Sequence, residues 1–326
     1  MLEADHSPLI SIIIPFYEKR RDYLEEALTH ISELDYENYE TIVVSNIPLK
    51  LSRAKTKVIL TDKCSQGEKN DIGIANANGS ICAFIGDDVF PRQDWLRNAI
   101  KYFKDPMVAA VGGPGETPPN DNIMQKASGY VYSSFLGAGT FAFRYTAKKT
   151  REVDDLPATN LLVRKSVLQT VQGFGVNYRS GEDTYLCMKI VQSGYKILYA
   201  PDVVVYHHRR PLFRPHCKQV KNCGFFRGYF IKKFNDARKI IHFLPSAFLV
   251  GVVIATVLAV LNSMVAFLML ALFLSFVICT FITGFSLSRS FKVAMLVPFG
   301  ILLTYLAYGF GFIQGLLTRD ENKLTY

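Results

Sequence analysis

The chain has 326 residues, with 37 Lys and Arg against 28 Asp and Glu, for a net charge of +9. Its 49% hydrophobic content is ordinary, but residues 243–285 hold no charged side chain in 43 positions and residues 293–318 none in 26. A bilayer core takes about 20 apolar residues per helix, so this block excludes a wholly soluble chain, and the basic cluster just ahead of it makes anionic headgroups, not nucleic acid, the expected partner of the charge.

Residues 1–8 carry two acids and a histidine, and the apolar run 9–14 is too short for a secretory h-region. The N-terminal domain is therefore expected in the cytoplasm. Ser11-Ile-Ile-Ile-Pro15 reads as a central parallel strand buried on both faces. Residues 22–33 show helical spacing, 41–44 and 58–60 are short β-type runs, and 68–77 fit a helix ended by Asn78-Gly79. Another buried strand is expected at 81–85, an amphipathic helix at 93–103, and a strand at 108–111. This alternation predicts an α/β doubly wound open sheet with helices on both faces, whose ligands bind beyond the carboxyl ends of the strands. Past residue 114 the pattern weakens, with a helix within 123–136. Then come a strand at 160–163, a serine-capped helix at 166–171, a helix at 183–193 and a strand at 203–206.

Residues 211–242 are basic and aromatic, combining Arg214, Lys218, Lys221, Arg227, Lys232 and Lys233 with Phe225, Phe226, Tyr229 and Phe230. They read as an interfacial segment between a catalytic domain at 8–210 and a membrane block at 243–318. Three spans are expected, at 243–261, 264–285 and 293–317, with Asn262-Ser263 as the first hairpin. Arg289 and Lys292 mark the second loop as cytoplasmic like the segment before the spans, and three crossings put the tail 319–326 outside. The six cysteines (Cys64, Cys82, Cys187, Cys217, Cys223 and Cys279) form no CxxC pair and read as reduced thiols.

Three clusters carry chemistry. Phe84-Ile85-Gly86-Asp87-Asp88 delivers two acids from a strand end, where they either cap the next helix or hold Mg2+ or Mn2+ against a diphosphate; Asp94 is the better cap. Gly181-Glu182-Asp183 opens a helix, so its acids either favour the helix dipole or provide a general base. His207-His208 follows a strand, where one imidazole can be structural or complete a metal site.

The order of these residues resembles family 2 glycosyltransferases of the GT-A fold over residues 9–230. It runs from Pro15-Phe-Tyr-Glu18 and Lys69-Asn-Asp-Ile-Gly73 through Gly86-Asp-Asp88, with Pro91 and Asp94-Trp95-Leu96 downstream. Gly181-Glu-Asp183 and Val205-Tyr-His-His-Arg-Arg210 complete it. The resemblance implies a nucleotide-diphosphate sugar donor against Pro15, Tyr17, Glu18, Asn46, Lys69, Asp71, Asp87 and Asp88. It implies a divalent metal on Asp88 and His207, Asp183 as base with Glu182 beside it, and Asn160 and Gly181 on the acceptor side. Direct displacement at the anomeric carbon would invert its configuration. The basic tether and spans make a polyprenyl phosphate, a lipid-linked oligosaccharide or a surface glycan the expected acceptor, and the cell membrane the expected location.

Three departures bear on this. Ser45-Asn46-Ile-Pro48 stands where the family has Asp-Asp-Gly-Ser, so an acid that reads the nucleobase is absent. Asn70 occupies an arginine position, and Gly86 replaces the first of three acids. These losses keep a non-catalytic scaffold role open as the alternative. Trp95 is the lone tryptophan, so the Gln-x-x-Arg-Trp motif of processive members is missing.

Overall fold

A computed structural model describes residues 7–17, 20–234, 239–319 and 325. The chain begins β1 (Ile10–Phe16), α1 (Arg21–Ser32), β2 (Tyr39–Ser45), β3 (Thr56–Leu60), α2 (Gln66–Ala75), β4 (Ile81–Phe84), β5 (Val89–Pro91), α3 (Trp95–Ile100), β6 (Val108–Gly112) and β7 (Gly115–Glu116). After α4 (Ile123–Ser133) and α5 (Phe135–Ala138) it resumes with β8 (Arg151–Val153), β9 (Leu161–Arg164), α6 (Lys165–Thr170), α7 (Glu182–Gln192), β10 (Lys196–Tyr199) and β11 (Val205–His207). The helices α8 (Arg214–Lys233), α9 (Leu244–Leu261), α10 (Ser263–Ser288) and α11 (Phe291–Leu317) follow.

Two compact units group residues 1–116, 146–207 and 324–326 on one hand, and 117–145 with 208–323 on the other. In the first, an eight-stranded sheet runs β3-β2-β1-β4-β9-β6-β10-β8. Every residue of β1 is buried. Ile12 and Ile14 share a core with Leu24, Leu28 and Ile31 of α1, while Ile13 packs under Gly73 of α2, so helices cover both faces. Burying each isoleucine contributes about 1.5–3 kcal/mol, which is why an uninterrupted apolar run becomes a central strand. The sheet is mixed: β9 runs antiparallel to β4 and β6. The strands β1, β2 and β4 are parallel and end on one edge. A second sheet, β5-β11-β7, pairs His207 with Val89. That register brings the histidine beside the residue that follows Asp88.

Local capping departs from expectation twice. Ser166 lies inside α6, whose first turn has no side-chain cap. Asp94 precedes α3 but gives its carboxylate to Arg92 at 2.6 Å instead of capping the helix. The guanidinium offers a charge-assisted bond, stronger than one from a backbone amide. At α2, Ser65 and Glu68 form a complete capping box.

In the second unit, α4 packs on the first half of α11 through Ala127, Val131, Val293, Val297 and Ile301. Within the basic aromatic segment, Arg214–Lys233 form one long helix, α8, lying parallel to the second half of α11. A Cβ added at Gly224 or Gly228 would strike the carbonyls of Tyr308 and Phe312; at Gly311 or Gly315 it would strike those of Lys221 and Phe225. Glycines spaced four apart on both helices thus let the backbones touch. His216 joins three helices, with Nδ1 2.8 Å from Ser128 Oγ and Nε2 2.8 Å from Thr304 Oγ1. Because Thr304 donates to the Gly300 carbonyl, its oxygen must accept from Nε2–H, leaving Nδ1 to accept from Ser128.

Helices α9, α10 and α11 are long and apolar enough to cross a membrane. Asn262 turns the first pair and caps α10 through Met264 N at 2.9 Å. Gly315→Leu is expected to cost about 3 kcal/mol by forcing α8 off α11, whereas Gly251→Leu meets nothing within 4 Å and should be silent. Thermal denaturation in detergent compares them, and equal melting temperatures would contradict this packing.

Candidate active site

The carboxyl ends of β1, β2 and β4 gather most of the expected donor residues. Lys69 reaches from α2 with its Nζ 2.5 Å from the Phe16 carbonyl and 3.0 Å from Asn46 Oδ1, and 4.0 Å from the centre of the Tyr17 ring. It is fully buried, and that burial pulls its pKa down. Pro15 lies opposite Val44 in the same strand pair. Glu18 lies outside the described residues. Asp71 turns elsewhere: its oxygens accept from Phe174 N at 2.7 Å and Gly175 N at 2.9 Å, bracing the loop ahead of α7.

Asp87 and Asp88 are both buried, and one nitrogen of Arg20 meets them at 2.6 and 2.9 Å. Asp87 also accepts from Tyr17 N at 2.9 Å. Burial dominates at Asp87 and pushes it up to about 6. At Asp88 burial acts the same way, but the His207 charge and contact, with Arg20, outweigh it and hold the carboxyl at about 2. Sequence reasoning missed Arg20, because nothing along the chain separates it from its neighbours Lys19 and Arg21. Adjacent buried acids did demand a cation.

His207 Nε2 lies 3.6 Å from Asp88 Oδ1. A hard carboxylate oxygen facing an imidazole nitrogen suits Mg2+ or Mn2+ that takes its remaining ligands from a diphosphate. No group of three or more His, Cys, Asp or Glu side chains gathers as a metal cage among the described residues. The fit is therefore to a cation shared with a ligand. His208 points to Asp121, 2.6 Å away, and is separately engaged.

Gly181 takes φ +82° at the start of α7, a left-handed turn that favours glycine and aims the next two residues. Glu182 is 6% exposed, and burial, followed by the charge of Asp183, pushes it up to about 8. Asp183 is half-buried and its Oδ1 accepts from Thr184 N at 2.7 Å. One acid is thus held neutral beside one in reach of solvent. Asn160 serves the interior: Oδ1 accepts from Trp95 Nε1 at 2.9 Å and Nδ2 donates to the Val203 carbonyl at 2.8 Å. Its polar atoms tie β9 to α3 and to the segment before β11.

Residues 11–172 match the profile of glycosyl transferase family 2. The chain is 25% identical to a dolichyl N-acetyl-alpha-D-glucosaminyl phosphate 3-beta-D-2,3-diacetamido-2,3-dideoxy-beta-D-glucuronosyltransferase of Methanococcus voltae, over 69% of this chain and 74% of that one. It is 28% identical to glycosyltransferase AglE of Haloferax volcanii, over 63% and 68%. The structure of a mannosyltransferase, PcManGT from Pyrobaculum calidifontis with GDP-Man and Mn2+, superposes with a TM-score of 0.63 over 97% of this chain and 89% of that one. Identity there is 19%, a likeness of fold.

Proposed function

Since the chain belongs to glycosyltransferase family 2, with a GT-A catalytic domain and three apolar helices that fit a membrane anchor, we propose that it transfers a sugar from a nucleotide-diphosphate donor to a lipid-linked acceptor, inverting the anomeric centre. The observation that carries this is the convergence of Lys69, Asn46, Tyr17, Asp87, Asp88 and His207 at one sheet edge, with Asp183 opening α7.

Lys69, Asn46 and Tyr17 form the floor for the nucleoside, and Arg20 offsets the paired acids. Asp88 and His207 would hold Mg2+ or Mn2+, which supplies positive charge to the departing diphosphate. Asp183 takes the proton of an acceptor hydroxyl as its oxygen bonds to the anomeric carbon; the carbon–oxygen bond to the diphosphate breaks and that oxygen keeps the electron pair. Glu182, held neutral, keeps a second negative charge away from that acceptor. The lipid acceptor rests on the apolar helices and on the Methanococcus relative, whose name places its substrate on a dolichyl phosphate. The positive residues before α9 and at Arg289 and Lys292 support a catalytic domain on the cytoplasmic side.

The test uses the purified full chain in proteoliposomes with a panel of sugar nucleotides, with and without Mn2+, and with polyprenyl phosphate or lipid-linked sugar. Nucleoside diphosphate release that needs both lipid and metal is expected. No release from any donor would sink the reading.

A further inference from the structure

We propose that the C-terminal tail returns to the side of the catalytic domain and braces the loop leading into Asp183, so that α11 does not cross the bilayer. Thr325 forms an antiparallel β-bridge with Tyr178, and its carbonyl accepts from Arg179 Nε at 2.5 Å. Tyr178 in turn sets its ring edge-on to Tyr185 of α7, 6.1 Å between centres. The loop 174–181 is held at its start by Asp71, at its middle by Thr325, and ends at Gly181 before Glu182 and Asp183.

Sidedness follows from chain length. The steps from Thr318, at the end of α11, to Thr325 reach at most about 25 Å fully extended, less than the ~30 Å hydrocarbon core. Arg319, Asp320, Glu321 and Lys323 lie among them and are costly to place in hydrocarbon. The end of α11 therefore shares a side with Tyr178. Three crossings would leave it on the far side, as sequence alone leads one to expect; two crossings, α9 out and α10 back, do not.

The packing of α11 agrees independently. Its second half runs beside α8 in register from His216–Thr304 through Lys221–Gly311 and Phe225–Gly315 to Lys232, whose Nζ donates to the Thr318 carbonyl. With Arg214, Lys218, Lys221, Arg227, Lys232 and Lys233, α8 is too charged for the bilayer interior, and a helix in backbone contact with it stays at the same level. Protein buries 44% of the apolar stretch of α11, against 6% in α9 and in α10. The basic pair Arg289 and Lys292 then sits at the near face, where α10 emerges.

Two measurements on the full chain in sealed vesicles decide this without any transferase assay. A Tyr178→Cys/Thr325→Cys variant should cross-link on mild oxidation, with each single variant as control; no cross-link overturns the brace. A protease-cleavable tag after residue 326 should be cut from the same face as one inserted at exposed Lys148-Lys149; cutting from opposite faces overturns the two-crossing arrangement. The kinetic part rests on the proposed role of Asp183. Arg179→Ala should lower kcat about 10- to 100-fold through a displaced loop, leave donor affinity unchanged, and be largely rescued by Arg179→Lys. An unaffected kcat, or an equal loss of donor binding, overturns the positioning role even if the cross-link forms. Absence of all transferase activity would instead fall on the proposed function.

Discussion

Asp88→Asn is expected to abolish the divalent-dependent part of donor binding while the fold survives. The carboxylate lies between the Arg20 guanidinium, 2.9 Å from Oδ2, and His207 Nε2, 3.6 Å from Oδ1. An amide there keeps the shape but not the charge, and a dication cannot be held against a neutral oxygen and an imidazole as tightly as against an anion. Asp87 retains Arg20 at 2.6 Å, so the local ion pair does not collapse. Loss of at least about 100-fold in Mn2+-dependent affinity for nucleoside diphosphate, roughly 2.7 kcal/mol, is the expected size. Isothermal titration of the detergent-solubilised chain measures it. Unchanged Mn2+-dependent affinity would remove Asp88 from the metal shell.

Asp183→Asn should separate binding from turnover. Asparagine keeps an oxygen for Thr184 N, now 2.7 Å from Asp183 Oδ1, so the start of α7 is preserved. What disappears is a group able to take a proton, and turnover should fall by the ~10²–10⁴-fold that a positioned base contributes. Were the acid only a partner of the helix dipole, the same change would cost under about 1 kcal/mol of stability and leave turnover alone. Glu182→Gln is the matched control. Glu182 is pushed up to about 8 and carries its proton at neutral pH, so an amide replaces one neutral group with another. Steady-state kinetics with donor titration decides the matter. An Asp183→Asn turnover within a few-fold of wild type, at intact donor affinity, would end the base assignment.

Much of the catalytic sheet was legible because β1, β4 and β6 are continuous apolar runs delimited by turn residues, a pattern set by burial on both faces. Strand order was not legible. The insertion of β9 between β4 and β6, antiparallel to both, depends on pairing between residues far apart in the chain. Asp87, Asp88 and His207 were singled out through strand-end placement, which local pattern carries, and the structure sets His207 Nε2 3.6 Å from Asp88 Oδ1. Asn160 and Asp71 were placed at the ligand by resemblance, yet their polar atoms serve interior hydrogen bonds. Arg20 and the reach of Lys69 are products of tertiary geometry. For α8 a signal was present and passed over: glycines at 224 and 228, answered by glycines at 311 and 315, mark a helix–helix seam, whereas the cations and aromatics alone read as a helix lying on lipid.

The linkage through His216 gives proton concentration a foothold in the helical unit. The ring lies tilted against Tyr132, 5.0 Å between centres, and bridges Ser128 and Thr304 with no carboxylate among these neighbours to welcome a second proton. Burial pushes it down to about 4, below the 6.5 of a free histidine. The unfolded chain therefore takes up this proton first as the medium acidifies. The linkage is complete above pH 6.5 and is titrated away toward pH 4, with up to about 3 kcal/mol of stability lost across that window. Acidification would thus loosen the junction of α4, α8 and α11 by making Nδ1 a donor toward Ser128.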